Sequence, residues 1–159
     1  SEAATLSGFG DAYFPGWNNR VPEAAPFEDN FLTSDRLRFE RARDVIQAAP
    51  QLAIGAPTMG WVAAASSSIA MIDSPAFMDS IKVPILIISA GNDRIVSTPA
   101  IERFASRVKN CTRLLLAGAR HEILQERDQL REQFWAAFDA YIPGSAIVPR
   151  GSEHAGIAL

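Results

Sequence analysis

The run Val83-Pro84-Ile85-Leu86-Ile87-Ile88-Ser89-Ala90-Gly91-Asn92-Asp93 is short, apolar and bounded by proline and glycine. A second strand-like run, Cys111 to Leu116, ends on the apolar Leu114-Leu115-Leu116, follows one stretch of helical periodicity and leads into Gly118-Ala119-Arg120-His121-Glu122. Continuous apolar runs of this length fit strands buried on both faces, and a helix between two of them makes a βαβ unit of a parallel sheet. The pattern predicts strands over 84–89 and 111–116, joined through a helix over 98–108. Asp93 and His121 then fall just past the carboxyl ends of neighbouring parallel strands. In open α/β sheets that edge is where ligands bind and chemistry is done.

Upstream of this unit the chain is helical, and before that irregular. Residues 9–30 are dense in Gly, Pro and Asn yet carry Phe9, Tyr13, Phe14, Trp17 and Phe27, the composition of an ordered loop buried by its own rings. Thr33 or Ser34 can cap a helix that ends at Ala49 before Pro50, with Leu37, Ala42, Val45, Ile46 and Ala49 as its apolar face. A second helix is expected over 57–72, with Pro57 in its first turn and Gly60 as a weak point, and a short one over 75–81. Leu130, Phe134, Phe138 and Tyr141 recur at helical spacing, which predicts a last helix over 127–142 that lays an aromatic face on the sheet. Residues 144–159 lack periodicity and read as a loose tail, in which Val148-Pro149-Arg150-Gly151-Ser152 matches the thrombin-site scar of recombinant expression.

Composition excludes several classes. A formal net charge of -3 offers no basic surface to nucleic acid, and 48% hydrophobic with 21% charged residues is globular. No apolar stretch approaches the roughly 18 residues of a transmembrane helix, and the first residues given lack the basic and apolar blocks of a signal peptide. A single cysteine cannot form an intramolecular disulfide, which fits a cytoplasmic protein, free or peripheral to a membrane. Two histidines and one cysteine scattered along the chain make no metal-ligand cluster, so neither metal nor cofactor is expected. Neither strand is followed by Gly-x-Gly-x-x-Gly or a P-loop, which disfavours nucleotide binding.

An acid followed in sequence by a histidine at successive strand ends is the second part of the Ser, Asp or Glu, His order of α/β-hydrolases. Either residue alone has a plainer reading, Asp93 as a turn former or helix cap and His121 as a surface side chain. Their joint placement favours catalysis. Glu122 competes as the acid, but it adjoins His121 in the chain and is badly placed to reach the neighbouring ring. The nucleophile is missing. No Gly-x-Ser-x-Gly occurs in residues 1–159, Ser66, Ser67 and Ser68 lie in an Ala-rich helical run, and Cys111 opens a strand where its side chain should be packed inward. Met59 and Trp61 read as packing or as substrate contacts. Arg36, Arg38, Arg41 and Arg43 read as a solvated helix face paired with Glu40 and Asp44.

Four blocks carry a resemblance. They are Asn30-Phe31-Leu32-Thr33-Ser34-Asp35 with Arg38-Phe39; Gly55-Ala56-Pro57-Thr58-Met59-Gly60-Trp61; Ala90 to Val96; and Gly118 to Leu124 with Glu126 and Phe134-Trp135. Together they resemble the bacterial lysophospholipase and monoacylglycerol lipase group of α/β-hydrolases over about residues 5–143. The resemblance implies the carboxyl-terminal portion of that fold: residues 1–75 as a cap over the active site, 76–143 as the end of the core with its last two strands, and 144–159 as a tail. It implies a serine hydrolase that cleaves lysophospholipid or monoacylglycerol esters, with Asp93 as triad acid, His121 as base, and Trp61, Met59, Ile95 and Ile123 facing the lipid ester. The family's serine motif and oxyanion-hole loop have no counterpart in these residues. The chain alone is therefore expected to be inactive, and its sheet to need completion by the amino-terminal half of the enzyme or by a second copy. The competing reading is a non-catalytic interaction module that keeps this end of the fold.

Overall fold

The computed structural model of the chain describes residues 8–13 and 25–142. Its helices are α1 (Arg36–Ala48), α2 (Met59–Ile72), α3 (Pro75–Ser80), α4 (Thr98–Arg107) and α5 (Asp128–Tyr141), and its strands are β1 (Ile85–Ala90) and β2 (Cys111–Leu116). Short 3-10 turns occupy Phe27–Asp29, Pro50–Leu52 and Ile123–Gln125.

The two strands pair in parallel, in register from Ile85 opposite Cys111 to Ala90 opposite Leu116. The α4 crossover between them is set by local chemistry. Ser97 caps it by accepting from the Ala100 amide, and Pro99 lies in its first turn, where a missing N–H costs nothing. Ala90, Leu116 and Ala119 are buried at the carboxyl end of the strands, packed by Ile88, Leu114, Ile123, Leu130 and Phe134. The α5 helix thus brings Leu130 and Phe134 onto the sheet at helical spacing, while Phe138 stacks on Phe134 with ring centroids 6.1 Å apart.

The expected helices are all present, but two of their starts move. Thr33 and Ser34 do not cap α1; Asp35 does, accepting from the Arg38 amide, because both hydroxyls are committed elsewhere. The α2 cap is Thr58, which leaves Pro57 outside the helix rather than in its first turn. Gly60 is less a weak point than a contact: its amide donates to Gly10 O at 2.8 Å, and a Cβ there would sit 3.0 Å from that oxygen.

The buried face of α1 is also rotated from the expected one. Leu37 is 77% exposed and Val45 is exposed, whereas Phe39 is 2% exposed and packs edge-on against Phe27 at 5.6 Å between centroids. One large ring seated on another outweighs the aliphatic stripe. Among the rings of the opening loop, Phe9 and Tyr13 are exposed rather than buried; Tyr13 instead forms an antiparallel bridge with Thr58. Phe14, Trp17 and the tail over 144–159 lie outside the described residues.

Beyond the ladder the two strands stay laced. Gly91 N donates to Leu116 O at 2.8 Å and Asn92 N to Ala119 O at 2.9 Å. This approach is open only to glycine at 91, since a Cβ there would meet Ala117 Cα and O at 2.7 Å, inside any allowed contact with backbone. Gly91→Ala should therefore push the two loops apart and cost about 1–3 kcal/mol. Equilibrium urea unfolding checks this: the midpoint should fall, and an unchanged midpoint would show that the loops do not depend on the contact.

Candidate active site

Two loops build the site, one after each strand. After β1 the chain turns at Gly91-Asn92 and presents Asp93, whose Oδ1 accepts from the Ile95 amide at 2.8 Å and the Val96 amide at 3.0 Å. This is the side-chain turn that aspartate favours before a helix, and it occupies only one carboxylate oxygen. The other, Oδ2, lies 3.0 Å from His121 Nδ1, on the loop after β2. The Asp93 side chain is 4% exposed and the His121 side chain 33%, so the acid is enclosed while the ring keeps an open side.

Burial opposes the charged form of Asp93, but the Val96 and Ile95 amides and the His121 ring outweigh it and hold the carboxyl below its ordinary value of 3.8. An ionised carboxylate only accepts hydrogen bonds. His121 must therefore carry its proton on Nδ1, which leaves Nε2 of the neutral ring free to take one.

The histidine loop is held by a segment far away in sequence. The fully buried Glu126 carboxylate accepts from Arg120 N at 2.8 Å and Ser34 N at 3.1 Å through Oε1, and from the Ser34 hydroxyl and Arg127 N through Oε2. Glu122 N donates to Leu32 O at 2.8 Å, and the Thr33 hydroxyl to Gln125 O at 2.7 Å. Arg120 Nη1 donates to the carbonyls of Asn30 and Thr33, each at 3.0 Å, while Asn30 Oδ1 accepts from the Leu32 and Thr33 amides. A carboxylate taken out of water is tolerated when donors surround it in this way.

Arg38 belongs to the same assembly rather than to a solvated face. It pairs with Asp35 at 2.7 Å and Asp128 at 2.6 Å and donates to Glu126 O at 2.8 Å. Arg36 does face solvent and pairs with Glu28 and Glu40. The parts played by Ser34, Arg120 and Glu126 were not read from spacing. The available signal was an acid three residues after Ile123, behind the apolar pair Ile123-Leu124.

The other residues singled out in the sequence are more dispersed. Ile95 is exposed on the acid loop beside the dyad. Ile123 packs against the Ala90, Leu116 and Ala119 core. Met59 and Trp61 open α2, with Trp61 63% exposed, and no hydrogen bond or ring contact among the described residues joins them to Asp93 or His121. Cys111 is half-buried, and burial pushes its thiol pKa up, away from a nucleophilic thiolate. Among the described residues no group of three or more His, Cys, Asp or Glu side chains gathers as a metal centre would, and no helix is long and apolar enough to cross a membrane.

The family described as serine aminopeptidase, S33, matches residues 8–128. A probable lysophospholipase L2 of Haemophilus influenzae is 28% identical over 109 residues, covering 69% of this chain and 34% of that protein. Lysophospholipase L2 of Escherichia coli is 30% identical over 115 residues, covering 68% and 33%. The chain thus spans about a third of the length of these relatives. A soluble variant of monoglyceride lipase from Saccharomyces cerevisiae, solved with a substrate analog, shares the fold at a TM-score of 0.53 and 16% identity, over 68% of this chain and 38% of that one. With residues 8–128 matched, the chain belongs to the serine aminopeptidase, S33, family, and its fold is that of an α/β-hydrolase.

Proposed function

We propose that this chain supplies the acid and base of a serine hydrolase that cleaves carboxylic esters of lipids, lysophospholipids or monoacylglycerols, through an acyl-enzyme. The observation that carries the reading is the 3.0 Å contact between Asp93 and His121 at the carboxyl edge of paired parallel strands. His121 Nε2 takes the proton of a serine hydroxyl as its oxygen attacks the ester carbonyl, and Asp93 stabilises the imidazolium that results. The ring then gives the proton to the departing alkoxide, and water repeats the sequence on the acyl-enzyme. Two backbone amides hold the oxyanion. Serine and oxyanion site come from a part of the fold outside these 159 residues, the amino-terminal half of the enzyme.

Lipid as the substrate is supported by the named relatives and by the surface of α2. That helix buries only Ala63 and leaves Trp61, Ile69, Met71 and Ile72 exposed, an apolar face of the kind an acyl chain would meet. In this reading residues 1–75 act as the cap, and Met59, Trp61, Ile95 and Ile123 are the side chains offered to the lipid ester. The protein works in the cytoplasm, at a membrane surface where its substrate resides.

The lack of Gly-x-Ser-x-Gly favours a second reading, a non-catalytic module that keeps the end of the hydrolase fold. A serine-directed fluorophosphonate probe separates the two. The 159-residue chain should stay unlabelled, whereas the same chain joined to its serine-bearing half should label; labelling of neither would establish the module.

In that complete enzyme His121→Ala should abolish nearly all ester turnover with the fold intact, and Asp93→Asn should cost on the order of 10⁴ in kcat, by analogy with a serine protease. Undiminished turnover in either variant would remove the residue from the mechanism.

Acid should act through Asp93 as well. Because folding lowers its pKa, its contribution to stability is present above the unfolded value near 3.8 and is lost as pH falls through the folded value. The stability gap between wild type and Asp93→Asn, about 1–3 kcal/mol above roughly pH 5, should close in more acid solution. A gap that stays constant on titration to strong acid would show that the Asp93 charge is not what the fold stabilises.

A further inference from the structure

We propose that Glu126 is a positioning residue for His121, coupling the orientation of the catalytic ring to the seating of the Asn30–Ser34 segment of the cap. The inference rests on the dyad described above and goes beyond it, because nothing in triad chemistry requires a second buried acid five residues on from the base.

The argument is one of backbone geometry. Arg120 N is held by Glu126 Oε1, and Glu122 N by Leu32 O, so the amides on both sides of His121 are fixed by partners outside its own turn. The same Oε1 takes Ser34 N and the neighbouring Oε2 takes the Ser34 hydroxyl, so one carboxylate grips both segments. The Arg120 side chain reaches back to the carbonyls of Asn30 and Thr33 and closes the ring of contacts from the other direction. His121 has no comparable support from the sheet, since β2 ends at Leu116 and the lacing to the acid loop ends at Ala119. A displacement of the Asn30–Ser34 segment therefore bears most directly on the histidine, whereas Asp93 is fixed by its own turn at Ile95 and Val96 and meets that segment only through Arg94, whose guanidinium lies 4.4 Å from the Phe31 ring centroid. Small misplacements of a catalytic group cost heavily, with about 1 Å worth 10²-fold.

The four groups gripping Glu126 make the variants informative. In Glu126→Gln, Oε1 still accepts from Arg120 N and Ser34 N, Nε2 can donate to the Ser34 hydroxyl, and only the 3.3 Å contact from Arg127 N is given up. Glu126→Leu removes every acceptor. Ser34→Ala loosens the cap side alone. Long-range ¹H–¹⁵N spectra of the chain joined to its serine-bearing half read the His121 tautomer and its Nδ1 proton, with the loss of the signal in His121→Gln assigning it. Met78→Ala, a buried site on α3 away from the loops, serves as a stability-matched control.

Glu126→Leu should lose the hydrogen-bonded Nδ1 proton signal, Ser34→Ala should weaken it, Glu126→Gln should restore it, and Met78→Ala should leave it unchanged. A folded Glu126→Leu with the wild-type signal would overturn the proposal. Should Glu126→Leu not fold, an unaltered signal in Ser34→Ala would overturn it equally. Absence of the Nδ1 proton from the wild type would instead refute the Asp93–His121 dyad, a distinct failure.

Discussion

Two backbone hydrogen bonds beyond the end of the strand ladder, from Gly91 to Leu116 and from Asn92 to Ala119, hold the site in place. Parallel pairing aligns β1 and β2, but the ladder ends at Ala90 and Leu116, and the residues that matter come later. Without the lacing, each loop would leave the sheet on its own course. With it, the chain is committed to a separation at which an aspartate side chain spans the gap to a histidine ring. The absence of a side chain at Gly91 is a geometric requirement of that separation, because the space a Cβ would need is filled by the Ala117 backbone.

The acid and base are held by different means. Asp93 is fixed locally, by amides two and three residues along, so its loop carries its own support. His121 is fixed by contacts with Asn30–Ser34 through backbone carbonyls, the Thr33 and Ser34 hydroxyls and the buried Glu126 carboxylate. The polar residues packed between α1 and α5 are therefore part of the site's architecture. Arg38 extends the assembly outward to Asp35 and Asp128, tying the starts of both helices together.

Local signals were legible in the sequence where structure is decided locally. The β1–α4–β2 unit and the existence of each helix follow from apolar runs, prolines and capping residues, all within a few positions of one another. The Asp93–His121 meeting was legible because parallel strands of similar length bring their ends together. What escaped the pattern is what depends on contacts across the chain. Thr33 and Ser34 look like helix caps until Gln125 and Glu126 take up their hydroxyls, and the next residue, Asp35, caps α1 in their place. Leu37 looks like core and Phe39 like one apolar residue among several, until Phe27 closes over one side of the helix and leaves the other to water. Periodicity identifies a helix more readily than it identifies which face the rest of the molecule will cover.

The span of the Thr33 and Ser34 contacts has a bearing on how the molecule assembles. Thr33 to Gln125 and Ser34 to Glu126 each bridge 92 positions, whereas β1 and β2 pair across a single helix. Closing so long a loop costs entropy before its contacts return anything, and non-local pairings slow folding for that reason. The βαβ unit can therefore form first, with Asp93 already in its turn, and the histidine loop takes its final position when the distant segment arrives. The turn that holds the acid closes over a few residues, while the contacts that hold the base wait on a segment some 92 positions away.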